Sequence, residues 1–184
     1  MERKVDVVTP NGFESDFVPN GQDFDNKRDF ARTQLKKVSE ALLGYKVSDD
    51  ALFVANSGRY EYRNKGIDVF LDGLKHLNDN DDYKRETIVF VLIPANNYGA
   101  RKDLIAKLNN ESNEDLENPF LTHGLNDLGY DPIINKLQDI HLNNEEDDTV
   151  KLIFVPSYLN GNDGIFNIPY YDILIGMDLT VFPS

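Results

Sequence analysis

A loop bounded by glycines carries two cations where a buried strand is predicted to lead into a helix. The loop reads Ser57-Gly58-Arg59-Tyr60-Glu61-Tyr62-Arg63-Asn64-Lys65-Gly66. Arg59 and Lys65 could supply about two positive charges, and the N-terminus of a helix attracts an anion through its free N–H groups and partial positive charge. This chemistry suits a phosphate. A solvated basic loop is the simpler interpretation, and the local pattern fits both equally well.

The elements on either side of this loop explain why it would face a ligand. Residues 51–56 are predominantly apolar, as in a strand that is covered on both faces. After the loop, helical spacing places five apolar residues on one face: Ile67, Phe70, Leu71, Leu74 and Leu77. The loop is therefore expected at the carboxyl edge of a sheet, where open α/β folds bind their ligands.

Strands and helices alternate along the rest of the chain. Strands are predicted at residues 5–8, 52–55, 88–93, 152–155 and 179–182. Helical patterns include one that ends at Gly44, a short one after Ala100, one that begins at Asp131-Pro132, and a last one that runs from near Pro169 to Met177. This order predicts right-handed crossovers and an α/β fold with a doubly wound, mostly parallel sheet of the Rossmann-like type.

Composition limits the classes of function. The chain has 184 residues, a formal net charge of -13 and no cysteine. That charge repels a polyanion, and no basic stripe offsets it, so nucleic acid is not an expected partner. No apolar run approaches the roughly 20 residues of a membrane-spanning helix, so we expect a soluble protein without a membrane partner. The absence of disulfides agrees with a cytoplasmic location.

Several common sites are not expected. The runs Asp79-Asn80-Asp81-Asp82 and Glu145-Glu146-Asp147-Asp148 lack the ligand alternation and the glycine of an EF-hand loop, and they are interpreted as solvated connections before strands. The three histidines are scattered, so no metal is expected. Both the Gly-x-Gly-x-x-Gly fingerprint of NAD and FAD enzymes and a phosphate loop ending in Gly-Lys-Ser or Gly-Lys-Thr are absent. We therefore expect no cofactor.

The loop and its surroundings resemble the glycogen synthases of the fungal and animal type, which also occur in some bacteria. The decapeptide at residues 57–66, followed by Asp68-Val69-Phe70, is similar to a signature of that family. The resemblance extends to Val8-Thr9-Pro10-Asn11-Gly12, to Val150-Lys151-Leu152-Ile153-Phe154 and to Val181-Phe182-Pro183-Ser184, and it is weakest between residues 96 and 129. It implies the C-terminal, nucleotide-binding domain of a two-domain GT-B type glycosyltransferase.

The resemblance implies a binding loop for the diphosphate of UDP-glucose. The family's arginine after Ser-Gly and its lysine before the second glycine contact the donor diphosphate, and they correspond to Arg59 and Lys65. Both cations would stabilise the charge that grows on the leaving UDP, which makes them the expected catalytic residues. Ser57 and Gly58 belong to the same donor-binding loop. Arg63 is expected to point away and to form a surface ion pair.

The resemblance also implies residues that bind the uracil base. Tyr158 matches an aromatic residue that contacts the ring, and Tyr170 matches a tyrosine that stacks on it. Stacking on a base is worth roughly 1–3 kcal/mol. Residues 161–164, which read Gly-Asn-Asp-Gly, are expected to form a flexible loop near the base.

The implied reaction is the transfer of glucose, with retention, from UDP-glucose to the non-reducing end of an α-1,4-glucan. The glycogen or α-glucan acceptor would bind through an N-terminal domain. Because the family pattern continues at both ends, residues 1–184 are interpreted as a single truncated Rossmann-like domain that is inactive alone. Two alternatives stay open: another two-domain glycosyltransferase with a different nucleotide sugar, and a non-catalytic module that binds glucan or a partner protein.

Overall fold

The computed structural model describes residue 12 and residues 14–183, apart from the side chain at position 16. The strands are β1 (Leu52–Ser57), β2 (Thr87–Leu92), β3 (Asn97–Ala100), β4 (His123–Leu125), β5 (Val150–Val155) and β6 (Leu179–Thr180). The helices are α1 (Gln22–Leu43), α2 (Ile67–Asn78), α3 (Lys102–Leu108), α4 (Pro132–Asp139) and α5 (Tyr170–Ile175). Short 3₁₀ turns lie at Ser15–Phe17 and Leu128–Tyr130. The strand predicted at residues 5–8 lies outside the described residues.

The main sheet is parallel and has the strand order β5-β2-β1-β6. The chain moves outward from β1 to β2 and β5, and it then returns to the other side of β1 to form β6. Ligands of open α/β sheets bind outside the carboxyl ends of the strands, where the direction of winding reverses. The predicted Rossmann-like, doubly wound sheet is confirmed, and its reversal lies between β1 and β6.

Helices cover both faces of the sheet and form two separate cores. Alternation along β1 directs Phe53 into the core that contains α1, α3 and α5, and Val54 into the core that contains α2 and α4. All residues of β2 and β5 are buried. Burial of both faces explains the continuous apolar runs at residues 88–92 of β2 and 152–155 of β5.

Local signals set two helix ends as predicted. Gly44 has a φ of 79° and donates its N–H to the Glu40 carbonyl, which ends α1. Asp131 accepts hydrogen bonds from the N–H groups of Ile133 and Ile134, each at 3.0 Å, and Pro132 takes the first helical position of α4.

Two parts of the fold differ from the sequence-based prediction. The antiparallel pair of β3 and β4 was not predicted, because both strands are short and each contains a glycine. The last helix ends at Ile175 rather than extending to Met177. The Asp178 N–H donates to the Phe53 carbonyl at 2.8 Å, so the chain must leave the helix before it can run beside β1. In the part of the chain that the structure describes, no helix has the length and apolar character needed to cross a membrane.

Candidate functional site

A cavity of about 410 Å³ opens at the carboxyl edge of the main sheet. Its walls come from the ends of β1, β2 and β5 and from the start of α5, and they include Ser57, Gly58, Leu92, Pro94, Tyr158 and Tyr170. The volume lies within the range of small-molecule sites, and the position is the one that open α/β folds use for ligands. Four of the six predicted site residues therefore share one cavity.

The backbone after β1 forms one wall of this cavity. Gly58 has a φ of 145°, a conformation that favours glycine, and a Cβ atom added there would have no neighbour within 4 Å. Glycine is therefore required at this position by its backbone conformation and not by crowding. The absence of a side chain leaves the backbone beside Ser57 open to an incoming group.

Tyr170, at the start of α5, is held in place by two hydrogen bonds. Its hydroxyl lies 2.6 Å from Ser57 Oγ, and its N–H donates to the Leu159 carbonyl at 2.9 Å. The half-buried ring packs on the core beneath α5. Tyr158 also lines the cavity, but 77% of its surface is exposed. One aromatic ring is thus fixed and the other is largely open to solvent.

Arg59 and Lys65 do not belong to the cavity lining. The Arg59 side chain is 81% exposed, and its Nε lies 3.4 Å from Glu61 Oε1. Lys65 is half-buried, and among the described residues it forms no ion pair. Neither cation is therefore among the residues that line the cavity. The surface ion pair expected for Arg63 is wrong for the described region, where this exposed residue has no carboxylate within 4.0 Å.

The cation loop, residues 57–66, is anchored at Tyr60 and at its last residue, Gly66. The Tyr60 hydroxyl donates to Asp131 Oδ2 at 2.7 Å, which ties the loop to the start of α4, and its pKa is raised by burial and by that carboxylate. Gly66 has a φ of 62°, and a Cβ there would lie 2.8 Å from the Cβ of Pro183. Gly66 is therefore required both by its backbone conformation and by the close approach of Pro183.

The start of α2 carries its own negative charge. Asp68 lies in the first helical turn, and its Oδ1 is buried without a hydrogen-bond partner among the described residues. A carboxylate at this position already interacts with the positive end of the helix dipole. The attraction for a phosphate would therefore come from the two loop cations more than from the helix itself.

The loop between Tyr158 and Tyr170 is held by hydrogen bonds from its own side chains, whereas the sequence led us to expect a flexible loop. The Asp163 carboxylate accepts three backbone N–H groups, from Ile165 at 3.0 Å, Phe166 at 2.8 Å and Asn167 at 2.7 Å. The side chains of Ile165 and Phe166 are buried in the core. The Asn-Asp-Gly composition suggested freedom, but an aspartate can fold a turn around itself.

Sequence reasoning missed His123, which contacts this loop from β4. Its Nε2 lies 2.8 Å from the Asp163 carbonyl oxygen, and its Nδ1 lies 2.8 Å from Thr122 Oγ1. Only 1% of the residue is exposed, and burial lowers its pKa. A strand of three residues has too little periodicity to reveal such a role. The described residues contain no cluster of three histidine or carboxylate side chains placed to hold a metal ion.

The model of the family described as glycogen synthase matches residues 1–112 and 100–184 of this chain. The chain belongs to the glycogen synthase family. The sequence resemblance is thereby confirmed, and the two matched ranges together cover the whole chain.

Curated glycogen synthases from several eukaryotes align with the whole chain. Glycogen [starch] synthase isoform 2 of Saccharomyces cerevisiae is 26% identical, and the alignment covers 100% of this chain and 35% of the yeast protein. The Dictyostelium discoideum enzyme is 27% identical, with 100% and 27% covered, and the human liver enzyme is 28% identical, with 100% and 34% covered. The chain therefore spans about a third of the length of these relatives.

Proposed function

We propose that this chain forms the donor-binding part of a glycogen synthase that transfers glucose, with retention, from UDP-glucose to the non-reducing end of an α-1,4-glucan. The observation that carries the proposal is the cavity at the carboxyl edge, which Ser57, Gly58, Tyr158 and Tyr170 share. Membership of the glycogen synthase family supports the choice of reaction. The curated relatives are themselves named glycogen [starch] synthases.

The cavity is the proposed site of the uracil base. Leu92 and Pro94 provide apolar surface, and Tyr158 and Tyr170 provide aromatic rings. Stacking of a base on an aromatic ring contributes roughly 1–3 kcal/mol. Tyr170 is the stronger candidate, because its hydrogen bond to Ser57 fixes it before a ligand arrives.

Arg59 and Lys65 are the proposed partners of the diphosphate. The ion pair between Arg59 and Glu61 is exposed, and such pairs contribute little, so the guanidinium can exchange this partner for a phosphate at small cost. When the glucosyl bond breaks, negative charge grows on the departing phosphate oxygen, and both cations would stabilise that charge. The donor is a substrate, and the proposal requires no cofactor or metal.

The proposed reaction also requires a glucan acceptor. The glucan acceptor would bind mainly through the N-terminal domain of a complete glycogen synthase. A cytoplasmic location agrees with the absence of cysteine. Neither nucleic acid nor a membrane is a proposed partner, given the net charge of -13.

Titration calorimetry of the purified chain with UDP, ADP and GDP tests the proposal. UDP is expected to bind, and to bind more tightly than ADP or GDP. A clear preference for ADP or GDP would indicate a glycosyltransferase with another donor. Failure of all three nucleotides to bind at millimolar concentration would contradict the donor-binding role and would favour a non-catalytic module.

A further inference from the structure

The segment that lines the base cavity is fixed at both of its ends by one neighbouring stretch of chain. Before this segment, the Phe154 N–H donates to the Phe120 carbonyl at 2.6 Å, and the Thr122 N–H donates to the Phe154 carbonyl at 3.2 Å. After it, His123 Nε2 lies 2.8 Å from the Asp163 carbonyl oxygen. Residues 157–160, which line the cavity, lie between these two attachments.

The two contacts of the His123 ring define its tautomer. A carbonyl oxygen only accepts, so the bond to Asp163 requires a proton on Nε2. Thr122 Oγ1 lies 2.8 Å from Nδ1 and 3.3 Å from the Phe154 carbonyl oxygen. Because Nδ1 is the nearer acceptor, the Thr122 hydroxyl donates its hydrogen bond to Nδ1. The neutral Nε2–H form satisfies both contacts, and burial, which lowers the pKa of His123, favours that form.

Asp163 connects His123 to the rest of the loop through hydrogen bonds. Its carboxylate holds three N–H groups of residues 165–167, while its carbonyl is held by His123. The loop then closes where the Tyr170 N–H donates to the Leu159 carbonyl at 2.9 Å. A Cβ at Gly164 would lie 2.9 Å from the Cβ of Ala100, so the loop also packs tightly against β3. His123 is thus the polar link between β4 and the loop that joins the two tyrosines.

We propose that His123 is a positioning residue for the donor nucleotide: its Nε2–H holds the Asp163 carbonyl and thereby fixes the loop that joins Tyr158 to Tyr170. This inference rests on the proposed function, because it assumes that the base occupies the cavity. His123 acts through the loop and does not line the cavity itself. Without its donor, a buried carbonyl loses its partner and the loop gains freedom that a bound nucleotide would have to remove.

Two substitutions of His123 distinguish the role of its N–H donor from the role of its ring. In His123→Gln the side-chain amide nitrogen can take the place of Nε2, whereas in His123→Asn it reaches only the place of Nδ1 and leaves Asp163 without a donor. The exposed His76 on α2 provides the control His76→Asn. UDP affinity is measured by calorimetry, and the exchange of the amide hydrogens of residues 165–167 is measured by mass spectrometry.

His123→Asn is expected to weaken UDP binding about fivefold or more, by the loss of one buried hydrogen bond, and to accelerate exchange at residues 165–167. His123→Gln is expected to restore both values to near those of the wild type, and His76→Asn to change neither. Unchanged UDP affinity in His123→Asn would overturn the proposal. Equal weakening in the Asn and Gln variants, with exchange of the loop unchanged, would also overturn it.

A measurement on the unmodified chain covers the case in which His123→Asn does not fold. The ring nitrogens of His123 are observed by ¹⁵N NMR during titration with UDP. The Nε2–H tautomer is expected, with a signal that shifts on binding while that of His76 does not. A protonated Nδ1 without a proton on Nε2, or a His123 signal that is insensitive to UDP, would overturn the proposal. If the wild-type chain binds no UDP, the proposed function fails first, and that result is distinct from a failure in the variants.

Discussion

At the residue scale, one hydrogen bond joins two parts of the cavity wall that lie far apart in the chain. The Tyr170 hydroxyl and Ser57 Oγ are 2.6 Å apart, and they link the start of α5 to the end of β1. This contact holds the aromatic ring in a defined position before any ligand binds. The ring and the hydroxyl of Tyr170 are therefore expected to make separable contributions to UDP binding.

Substitutions at Tyr170 distinguish these contributions. Tyr170→Ala removes the stacking surface and is expected to reduce UDP binding by roughly 1–3 kcal/mol, whereas Tyr170→Phe keeps the ring and is expected to cost less than 1 kcal/mol. Calorimetry with UDP measures both, and Tyr130→Ala, at an exposed tyrosine outside the cavity lining, is the control. Equal losses in the Ala and Phe variants would show that the hydroxyl carries the effect.

Two arginines of the same loop form a second matched pair. Arg59→Ala is expected to weaken UDP binding by about 1.5–3 kcal/mol, the range for a hydrogen bond to a charged group. Its free energy of unfolding is expected to stay within about 0.5 kcal/mol of wild type, because the side chain is 81% exposed and its ion pair lies at the surface. Arg63→Ala, at an exposed position of the loop, is expected to change neither value.

Calorimetry and urea unfolding measure the two quantities. A loss of stability as large as the loss of affinity in Arg59→Ala would favour a purely structural role for the loop. Equal effects of both arginines on UDP affinity would indicate a general electrostatic attraction and not a specific phosphate contact.

At the element scale, the turn between β1 and α2 depends on the conformation of Gly66. Gly66→Ala would place a side chain at a φ of 62°, with its Cβ 2.8 Å from that of Pro183. We expect a destabilisation of about 1–3 kcal/mol from backbone strain and crowding. Thermal unfolding of the variant measures this loss.

Gly73, which lies inside α2, provides a control for Gly66→Ala. A Cβ added at Gly73 meets nothing within 4 Å. Gly73→Ala is therefore expected to stabilise the chain by about 0.5–1 kcal/mol, because alanine has the higher helix propensity. If Gly66→Ala were as stable as the wild type, Pro183 would have to shift freely, and the turn would not depend on glycine.

The elements that sequence reasoning found are those with long or chemically specific signals. The apolar runs of β1, β2 and β5, the glycine that ends α1 and the Asp-Pro pair that begins α4 all act locally, so their effects can be predicted without tertiary structure. Strands β3 and β4 pair with each other through a long connection, and neither contains enough alternating residues to be recognised. Their existence depends on tertiary contacts that a local pattern does not contain.

The residues of the candidate site also divide into those that a local sequence signal marks and those that depend on tertiary contacts. The cation loop stands out by its charges and glycines, whereas nothing in the local sequence marks Tyr158 or Tyr170, and both were assigned through family resemblance. His123 was missed because its role arises from a contact across 40 residues of the chain. The order of the loop around Asp163 was also missed, because the same Asn-Asp-Gly composition fits a mobile loop and a tightly hydrogen-bonded one.

At the scale of the whole molecule, Asp178 connects the first helix to the last strand of the sheet. Its carboxylate lies 2.7 Å from Arg28 and 2.8 Å from Arg32, both on α1, and it accepts the Phe53 N–H at 2.9 Å. Burial alone would raise the pKa of Asp178, but the hydrogen bonds from Phe53 and Arg32 and the charges of both arginines lower it overall. One carboxylate thus joins α1, β1 and the start of β6.

The lowered pKa of Asp178 predicts a pH dependence of stability. An aspartate whose pKa is lower in the folded chain than in the unfolded one stabilises the fold above its unfolded pKa of about 3.9, and this contribution is lost as the pH falls through the folded value. Asp178→Asn is expected to cost roughly 1–2 kcal/mol at pH 7, since the partly exposed carboxylate is screened by solvent. Urea unfolding at pH 7 and at pH 3 measures this cost.

The difference between Asp178→Asn and wild type is expected to shrink from pH 7 to pH 3. Lys46→Gln, at an exposed lysine paired with Glu40, is the control and is expected to have a smaller effect at both pH values. A difference for Asp178→Asn that is constant between pH 7 and pH 3 would show that hydrogen-bond geometry, and not charge, accounts for its contribution.

The most direct test of the proposed donor site is a crystal structure of the chain with bound UDP. The proposal predicts that the uracil ring lies in the cavity against Tyr170 and that the diphosphate is within hydrogen-bond distance of Arg59 and Lys65. UDP bound elsewhere on the chain, or in the cavity with both cations beyond reach of the diphosphate, would contradict it.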